Sequence, residues 1–203
     1  MGAGSEVITF GWSQGGHATL FTAEEQPDYA GDLIHRGAVA IAPGTTAGIK
    51  YVNIPHIYLT MRSYESAYYA PLTGLTPQGR ELLDKAAEVS VTGVFQESAR
   101  LSGPFFTGDW DPTMQKALAM NVPGQRKSPT PILVTQGTKD DVVLPEWTGQ
   151  LLSRALKAGD LIKVSWYDGA THRSVIEAAK PEILSWIDDR LAGKPAPTDT
   201  LPQ

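Results

Sequence analysis

The sequence contains no cysteine among its 203 residues. Disulfide bonds, thiolate metal ligands and a cysteine nucleophile are therefore excluded. Histidine is also scarce: the four are His17, His35, His56 and His172. Because no two of them have the His-x-x-x-His spacing of a zinc site, the sequence predicts neither a metal ion nor another cofactor.

Basic residues are few as well, since 17 Lys and Arg stand against 22 Asp and Glu, for a formal net charge of −5. No Lys/Arg-rich run is present, so we expect neither a nucleic-acid partner nor attraction to an anionic membrane. No apolar run reaches the roughly 20 residues that span a bilayer. The first residues, MGAGSEV, lack the basic and then apolar regions of a signal peptide.

Four short apolar or β-branched segments, each closed by Gly or Pro, predict β-strands. In chain order they are EVITF, RGAVAIA, PILVTQG and LIKVSWYDG. A helix is predicted between the last two, with Trp147, Leu151, Ala155 and Ala158 on its apolar face. Nearly continuous apolar strands that alternate with helices indicate an α/β fold, with a parallel sheet and crossover helices.

The segment after the last strand predicts a helix that is interrupted or restarted at Pro181. Its apolar residues are expected to form one buried face. These residues are Ile183, Leu184, Ile187 and Leu191. The polar, proline-rich stretch from Gly193 onward is predicted to be a flexible tail without structure.

The middle of the chain breaks the alternation of strands and helices. It carries two helix-starting signals, Thr76-Pro77 and Asp111-Pro112, with no clear strand between the helices. We therefore predict a helical insertion, placed where a lid or cap would sit on an α/β core. The predicted divisions are residues 1–44 and 129–192 for the core, 45–128 for the cap insertion and 193–203 for the tail.

Residues 11–15 read Gly-Trp-Ser-Gln-Gly, which is the G-x-S-x-G spacing of a nucleophile elbow. An elbow places a serine on a sharp strand-to-helix turn, and we expect its crowding to require Gly11 and Gly15, with Gly16 beside them. The segment VITF before the serine predicts a strand, and GGHATLFTAEE after it predicts a helix. The sequence thus predicts Ser13 as the nucleophile. It also predicts the N–H of Gln14, at the helix N-terminus, as an oxyanion donor.

A serine nucleophile needs a base, and the base needs an orienting carboxylate. In folds with this elbow the chain order is Ser, acid, His. The loop after PILVTQ carries Asp140 and Asp141, and the loop after IKVSWY carries His172. In a parallel sheet both loops leave from the same edge as the elbow, so we predict His172 as the base and one of the two aspartates as the acid. Asp168 is predicted to shape the turn before His172, and His17 to support or pack behind the elbow.

Three motifs stand out together: FGWSQGGHATL, PILVTQGTKDDVVLP and YDGATHRSV. In combination they resemble the α/β-hydrolase superfamily, and more narrowly the secretory lipases of the lipase A type. The resemblance runs from about residue 6 to 193, and the middle stretch matches the helical cap of these lipases loosely. The Gly-Thr-x-Asp turn of the family selects Asp140 as the acid, and its Thr-His pair selects His172. The resemblance implies hydrolysis of carboxylic esters with medium or long acyl chains, contact with a lipid interface, and secretion.

The lipases place several strands before the elbow, and a loop among those strands supplies the second oxyanion donor. The sequence shows no such strands before Val7, so we expect the carboxyl-terminal part of a hydrolase, naturally minimal or cut down. The VITF strand would then have an open edge, which invites pairing with a second copy of the chain. We therefore predict a homodimer through this edge, with the second oxyanion donor unassigned.

The predicted function is hydrolysis of a small-molecule ester or a lipid through Ser13, His172 and Asp140. The apolar segments YVNIPHIYLTM and GPFF are expected to line an acyl pocket or to form ordinary core. A serine peptidase of the prolyl oligopeptidase type shares the G-W-S-x-G-G and Gly-Thr-x-Asp-Asp patterns and is the enzymatic alternative. A non-catalytic remnant, serving as a binding module or an incomplete subunit, is the alternative from another class.

Overall fold

The computed structural model describes residues 4–45, 74–107, 116 and 119–200. Four strands form one sheet in the order β1-β2-β3-β4, and every neighbouring pair is parallel. The strands are β1 (Glu6–Trp12), β2 (Ile34–Ile41), β3 (Ile132–Gly137) and β4 (Ile162–Tyr167). The prediction of a parallel α/β sheet is confirmed, and each of the four predicted segments forms a strand.

Five helices lie within the described residues. They are α1 (Gln14–Tyr29), α2 (Pro77–Lys85), α3 (Val91–Leu101), α4 (Pro145–Ala158) and α5 (Ser174–Leu191). The chain crosses from β1 to β2 through α1 and from β3 to β4 through α4. These crossovers return the chain to start the next strand at the same end of the sheet. All loops that follow a strand therefore lie at one edge, where ligand sites form in open α/β sheets.

Helices cover both faces of the sheet. On one face, α1 and α4 pack against the strands through a first buried cluster, and α5 packs on the other face through a second. Successive side chains of β2 point to opposite faces of the sheet, so Ala38 and Ala40 belong to the first cluster and Val39 and Ile41 to the second. Every residue of β3 is buried, as expected of a central strand covered on both faces.

Helix α5 differs from its prediction in two ways. It runs without interruption from Ser174 to Leu191 and contains Pro181, whose ring lies on the solvent-exposed side. The missing backbone N–H there leaves a carbonyl on the exposed side, where water can satisfy it. The predicted buried face was also partly wrong, because Leu184 and Leu191 are 55% and 49% exposed. The residues of α5 that are buried recur at helical spacing and are Val175, Ala179, Ile183, Trp186 and Arg190.

Residues 193–200 form neither helix nor strand, yet they are held against β4. The backbone N–H of Asp199 donates to the carbonyl of Ile162 at 2.8 Å, and the N–H of Val164 donates to Asp199 Oδ2 at 2.8 Å. Lys163 Nζ lies 2.9 Å from Asp199 Oδ1. The prediction of a flexible tail therefore missed these contacts, in which Asp199 satisfies backbone groups of an edge strand.

The chain divides into two compact units, residues 1–45 with 123–203 and residues 46–122. In the second unit, α2 and α3 begin with side-chain caps, since Thr76 Oγ1 accepts from the N–H of Gly79 at 3.0 Å and Ser90 Oγ from the N–H of Gly93 at 3.3 Å. The predicted helix DPTMQKALAM lies largely, and the segment YVNIPHIYLTM entirely, outside the described residues. None of the described helices has the length and apolar character that crossing a membrane requires.

Candidate active site

Ser13 lies on a sharp turn between β1 and α1. Its φ of 57° places this non-glycine residue at positive φ, and its ψ is −115°. The turn is held by backbone hydrogen bonds: the N–H of Ser13 donates to the carbonyl of Ile41 at 2.8 Å, and the N–H of His17 donates to the carbonyl of Ser13 at 3.0 Å. Such a conformation persists only where its surroundings fix it, and it is the geometry of a nucleophile elbow.

The glycines of the elbow are not equivalent. A Cβ at Gly11 would lie 2.3 Å from the carbonyl carbon and oxygen of Gly15, which no real side chain tolerates. A Cβ at Gly16 would lie 3.1 Å from the carbonyl oxygens of Gly11 and Ile41. A Cβ at Gly15 meets no described atom within 4 Å. The expectation that crowding requires a glycine at position 15 was therefore wrong. The backbone of Gly15 occupies the space beside Gly11, but a Cβ on Gly15 itself would point into open space.

The predicted residues Ser13, His172 and Asp140 come together in one row of hydrogen bonds. In the chain, Ser13 and His172 are 159 positions apart, and His172 and Asp140 are 32 positions apart. His172 Nε2 lies 3.0 Å from Ser13 Oγ, and His172 Nδ1 lies 2.8 Å from Asp140 Oδ2. The Asp140 side chain is 0% exposed and that of His172 is 9% exposed. Because a carboxylate only accepts hydrogen bonds, Nδ1 carries the proton and Nε2 is left to accept from the serine hydroxyl. This arrangement can remove a proton from the serine as it attacks an electrophile.

The structure separates the two neighbouring aspartates. Asp140 points inward to His172, whereas Asp141 is exposed. Asp168 lies in the turn after β4, where its Oδ1 accepts from Thr138 Oγ1 at 3.0 Å. The same hydroxyl accepts from the N–H of Gly169 at 2.9 Å. Asp168 thus joins the two loops and does not contact the histidine ring in any described hydrogen bond.

The loops that carry Asp140 and His172 are bound closely to each other. The backbone N–H of Lys139 donates to the carbonyl of Ala170 at 2.9 Å. A Cβ at Gly137, where the first loop begins, would lie 2.2 Å from that carbonyl oxygen. Only glycine therefore allows the loops to approach this closely, which explains the glycine of the Gly-Thr-x-Asp turn.

Trp12, immediately before the nucleophile, was not predicted as a site residue. Its indole Nε1 donates to the backbone carbonyl of His172 at 2.9 Å, and the two rings lie 5.0 Å apart between centroids. The guanidinium of Arg173 lies 5.8 Å from the Trp12 ring centroid. Trp12 thus ties the elbow to the histidine loop. The G-x-S-x-G pattern leaves this position free, so the motif contains no signal for it.

Gln136 was also missed. This side chain is 0% exposed at the end of β3, and its Nε2 donates to Asp140 Oδ2 at 3.0 Å. Its Oε1 accepts from the hydroxyl of Thr148, which is 0% exposed, at 2.7 Å. A buried amide needs hydrogen-bond partners, so a glutamine inside the apolar run PILVTQG was the signal that could have identified it.

The remaining histidines lie apart from this row. His17 Nδ1 is 2.7 Å from the carbonyl oxygen of Gly44, and burial lowers the pKa of His17 below its ordinary value. His35 Nε2 is 3.0 Å from Thr9 Oγ1, and burial lowers its pKa also. His56 lies outside the described residues. Burial thus favours the neutral form of His17 and His35, and neither makes a described hydrogen bond to Ser13, Asp140 or His172.

Gln14 is the first residue of α1. The first N–H groups of a helix have no acceptor within the helix, and the helix dipole adds partial positive charge there. The backbone at Gln14 therefore offers a donor directly beside Ser13. The role of this N–H as an oxyanion donor stays a prediction, as do the roles of Ser13, His172 and Asp140.

No protein-family model matches the sequence. A probable inactive lipase of Mycobacterium tuberculosis is 25% identical over an alignment that covers 92% of this chain and 45% of that protein. A secreted triacylglycerol lipase of Malassezia furfur is 25% identical over an alignment that covers 95% of this chain and 56% of that protein. The chain thus spans about half the length of the curated relatives it matches.

Solved structures of esterases and lipases share the fold. The rice cell wall degrading esterase LipA from Xanthomonas oryzae superposes with a TM-score of 0.67 at 12% identity, over 94% of this chain and 59% of its own. Candida antarctica lipase A in its closed state gives a TM-score of 0.61 at 14% identity, over 97% of this chain and 53% of its own. The chain has the α/β-hydrolase fold of these proteins, which confirms the predicted resemblance.

Proposed function

We propose that the protein is a carboxylic ester hydrolase in which Ser13, His172 and Asp140 form the catalytic triad. The observation that carries this proposal is the unbroken row of hydrogen bonds, 3.0 Å from Ser13 Oγ to His172 Nε2 and 2.8 Å from His172 Nδ1 to Asp140 Oδ2. The strained elbow at Ser13 supports it, because backbone strain concentrates at functional sites. The lipase and esterase names of the similar proteins support the same reaction class.

The reaction would proceed by acyl transfer in two steps. His172 Nε2 takes the proton of Ser13 as Oγ attacks the ester carbonyl, and the resulting imidazolium donates that proton to the leaving alcohol. The carboxylate of Asp140 stabilises the imidazolium and fixes the tautomer. The N–H of Gln14 stabilises the oxyanion. A water molecule, activated by His172, then hydrolyses the acyl-enzyme and restores the free serine.

The substrate class we propose is acyl esters or acylglycerols. The relative from Malassezia furfur is a secreted triacylglycerol lipase, which supports a lipid substrate and an extracellular location. Contact with a lipid interface is part of the same proposal. Comparison of p-nitrophenyl butyrate with palmitate tests the acyl length. Prolyl p-nitroanilides test the peptidase alternative.

A non-catalytic binding role is the second candidate, because one relative is described as a probable inactive lipase. The two candidates differ in the reactivity of Ser13. A fluorophosphonate labels a serine only where a neighbouring base activates it, so the hydrolase reacts with the probe and the non-catalytic protein does not.

The test compares the wild-type protein with Ser13→Ala in ester hydrolysis and in fluorophosphonate labelling. Ser185→Ala is the matched control, because Ser185 is exposed on α5, far along the chain from the elbow. We expect hydrolysis and labelling in the wild type and in Ser185→Ala, and neither in Ser13→Ala. Hydrolysis that survives Ser13→Ala would refute the proposed nucleophile, and a wild type without labelling would favour the binding role.

We also propose that two copies of the chain pair through β1. Within the described sheet, β1 has a strand neighbour on one side only. Its Phe10 is 69% exposed, and Ile34 on the neighbouring strand is 46% exposed. The single charge of β1, Glu6, is already engaged with Arg36 at 3.1 Å from Nε to Oε1. An edge with exposed apolar side chains and no free charge lacks the features that prevent edge pairing.

A further inference from the structure

We propose that Gln136 is a positioning residue for the acid and base of the site: its amide holds one oxygen of Asp140 opposite the ring of His172. The catalytic consequence of this role rests on the proposed function. The geometric role does not, because it concerns the placement of a carboxylate against an imidazole whether or not a substrate is turned over.

The amide of Gln136 is surrounded by acceptors on its nitrogen side. Nε2 lies 3.0 Å from Asp140 Oδ2, 3.1 Å from the carbonyl oxygen of Val143 and 3.2 Å from the carbonyl oxygen of Gly137. Its Oε1 accepts from Thr148 Oγ1 at 2.7 Å. A flipped amide would set Oε1 against three acceptors and Nε2 against the hydroxyl. The orientation of the amide is therefore fixed by its surroundings, with Nε2 directed at Asp140.

The two oxygens of Asp140 are held in different ways. Oδ1 accepts from the backbone N–H groups of Val142 at 2.9 Å and Val143 at 2.8 Å. Oδ2 accepts from Gln136 Nε2 at 3.0 Å and from His172 Nδ1 at 2.8 Å. A carboxylate accepts about four hydrogen bonds, so the buried anion is fully satisfied. Within the described part of the chain, no Lys or Arg forms an ion pair with it.

This division identifies what Gln136 contributes. The backbone donors anchor Oδ1 but leave the carboxylate free to pivot about that atom. Gln136 is the second donor on Oδ2 among the described hydrogen bonds. Without Gln136, the only described donor to Oδ2 would be His172, whose ring Oδ2 itself orients. Gln136, itself fixed by Thr148, thus gives Oδ2 a position that is independent of the histidine.

Gln136→Met tests this role, because methionine has a similar length and volume and no donor. We expect kcat/KM for p-nitrophenyl butyrate to fall on the order of 10- to 100-fold, the scale of a misplacement of up to about 1 Å in a catalytic group. Thr148→Val should give a smaller loss in the same direction, and Thr148→Ser, which keeps the hydroxyl, should restore the rate. Gln150→Met, an exposed glutamine on α4, is the matched control and should match the wild type.

A double-mutant cycle separates positioning from general destabilisation. Because Gln136 acts through Asp140, Gln136→Met should cost less than about 2-fold when added to Asp140→Ala, since coupled residues are not additive. A purely structural role would reduce the rate by the same factor in both backgrounds. Additive losses would therefore overturn the proposal, as would a wild-type rate in Gln136→Met.

NMR of the imidazole tests the geometric role without any substrate. In the wild type we expect a downfield Nδ1–H resonance of His172, identified by its loss in His172→Gln. In Gln136→Met this resonance should move upfield, because a displaced carboxylate makes a weaker hydrogen bond to Nδ1–H. An unchanged resonance would overturn the proposal even in an active enzyme. The upfield shift in a protein without esterase activity would support the geometric role and refute the proposed function separately.

Discussion

The two glycines of the Gly-Trp-Ser-Gln-Gly turn are predicted to respond in opposite ways to the same substitution. A Cβ at Gly11 would lie 2.3 Å from the carbonyl carbon and oxygen of Gly15, whereas ordinary contact begins near 3.4 Å. The turn would have to open by the difference, about 1 Å, and both colliding atoms are backbone atoms that cannot rotate away. Overpacking of this kind costs about 1–3 kcal/mol of stability.

The activity loss in Gly11→Ala follows from the position of Ser13, two residues along the same turn. Ser13 Oγ lies 3.0 Å from His172 Nε2, and a displacement of about 1 Å would take it beyond hydrogen-bonding distance. Misplacement on this scale costs on the order of 100-fold in rate. We therefore expect kcat/KM for p-nitrophenyl butyrate to fall on the order of 100-fold in Gly11→Ala.

Gly15→Ala is the matched control within the same motif. No described atom lies within 4 Å of a Cβ at this position, which is in the first turn of α1. Alanine favours a helix over glycine by up to about 1 kcal/mol, so thermal unfolding should show an unchanged or higher Tm, with the wild-type kcat/KM. Equal losses of kcat/KM in Gly11→Ala and Gly15→Ala would refute the reasoning. They would show that the space around each glycine does not determine whether alanine is accepted there. Wild-type activity in Gly11→Ala would refute it as well.

Two further predictions concern the acid and the sheet edge. Asp140→Asn should reduce kcat on the order of 10⁴-fold by favouring the wrong histidine tautomer. Asp141→Asn, at an exposed position, should leave kcat within about 2-fold of the wild type. Equal losses in the two variants would contradict the assignment of the acid. Light scattering after size exclusion should show a wild-type dimer that dissociates on dilution. Phe10→Lys should be monomeric, because a lysine on an edge strand opposes strand pairing. A wild type that is monomeric at every concentration would contradict the proposed pairing through β1.

The arrangement of the site followed from the sequence because the topology leaves little choice. Four apolar segments separated by helices indicate a parallel sheet, and a parallel sheet gathers the loops that follow its strands at one edge. Ser13 directly follows β1, and Asp140 and His172 lie in the loops that follow β3 and β4. Their meeting was therefore predictable without any knowledge of side-chain packing, although they are separated by up to 159 positions.

Packing decided the parts that the sequence did not reveal. On α5, hydrophobicity alone favoured Leu184 and Leu191, but the angular position of the helix on the sheet buries Trp186 and Arg190 instead. Helical spacing defines a stripe, and only the contact with the sheet determines which stripe turns inward. In the described part of the tail, residues 193–200, no helix or strand forms. The polar composition could not show that Asp199 finds donors on β4.

The supporting residues of the site were the least predictable, and they bear most directly on function. The fold is shared with proteins at 12% and 14% identity, and one relative at 25% identity is described as a probable inactive lipase. Neither the shared fold nor the similarity to lipases therefore decides whether this chain is active. Two hydrogen bonds hold the proposed acid and base in place: Gln136 Nε2 donates to Asp140 Oδ2 at 3.0 Å, and Trp12 Nε1 donates to the carbonyl of His172 at 2.9 Å. We expect loss of either donor to lower the activity while Ser13, Asp140 and His172 remain in the chain, because His172 would be held less firmly in the proposed triad.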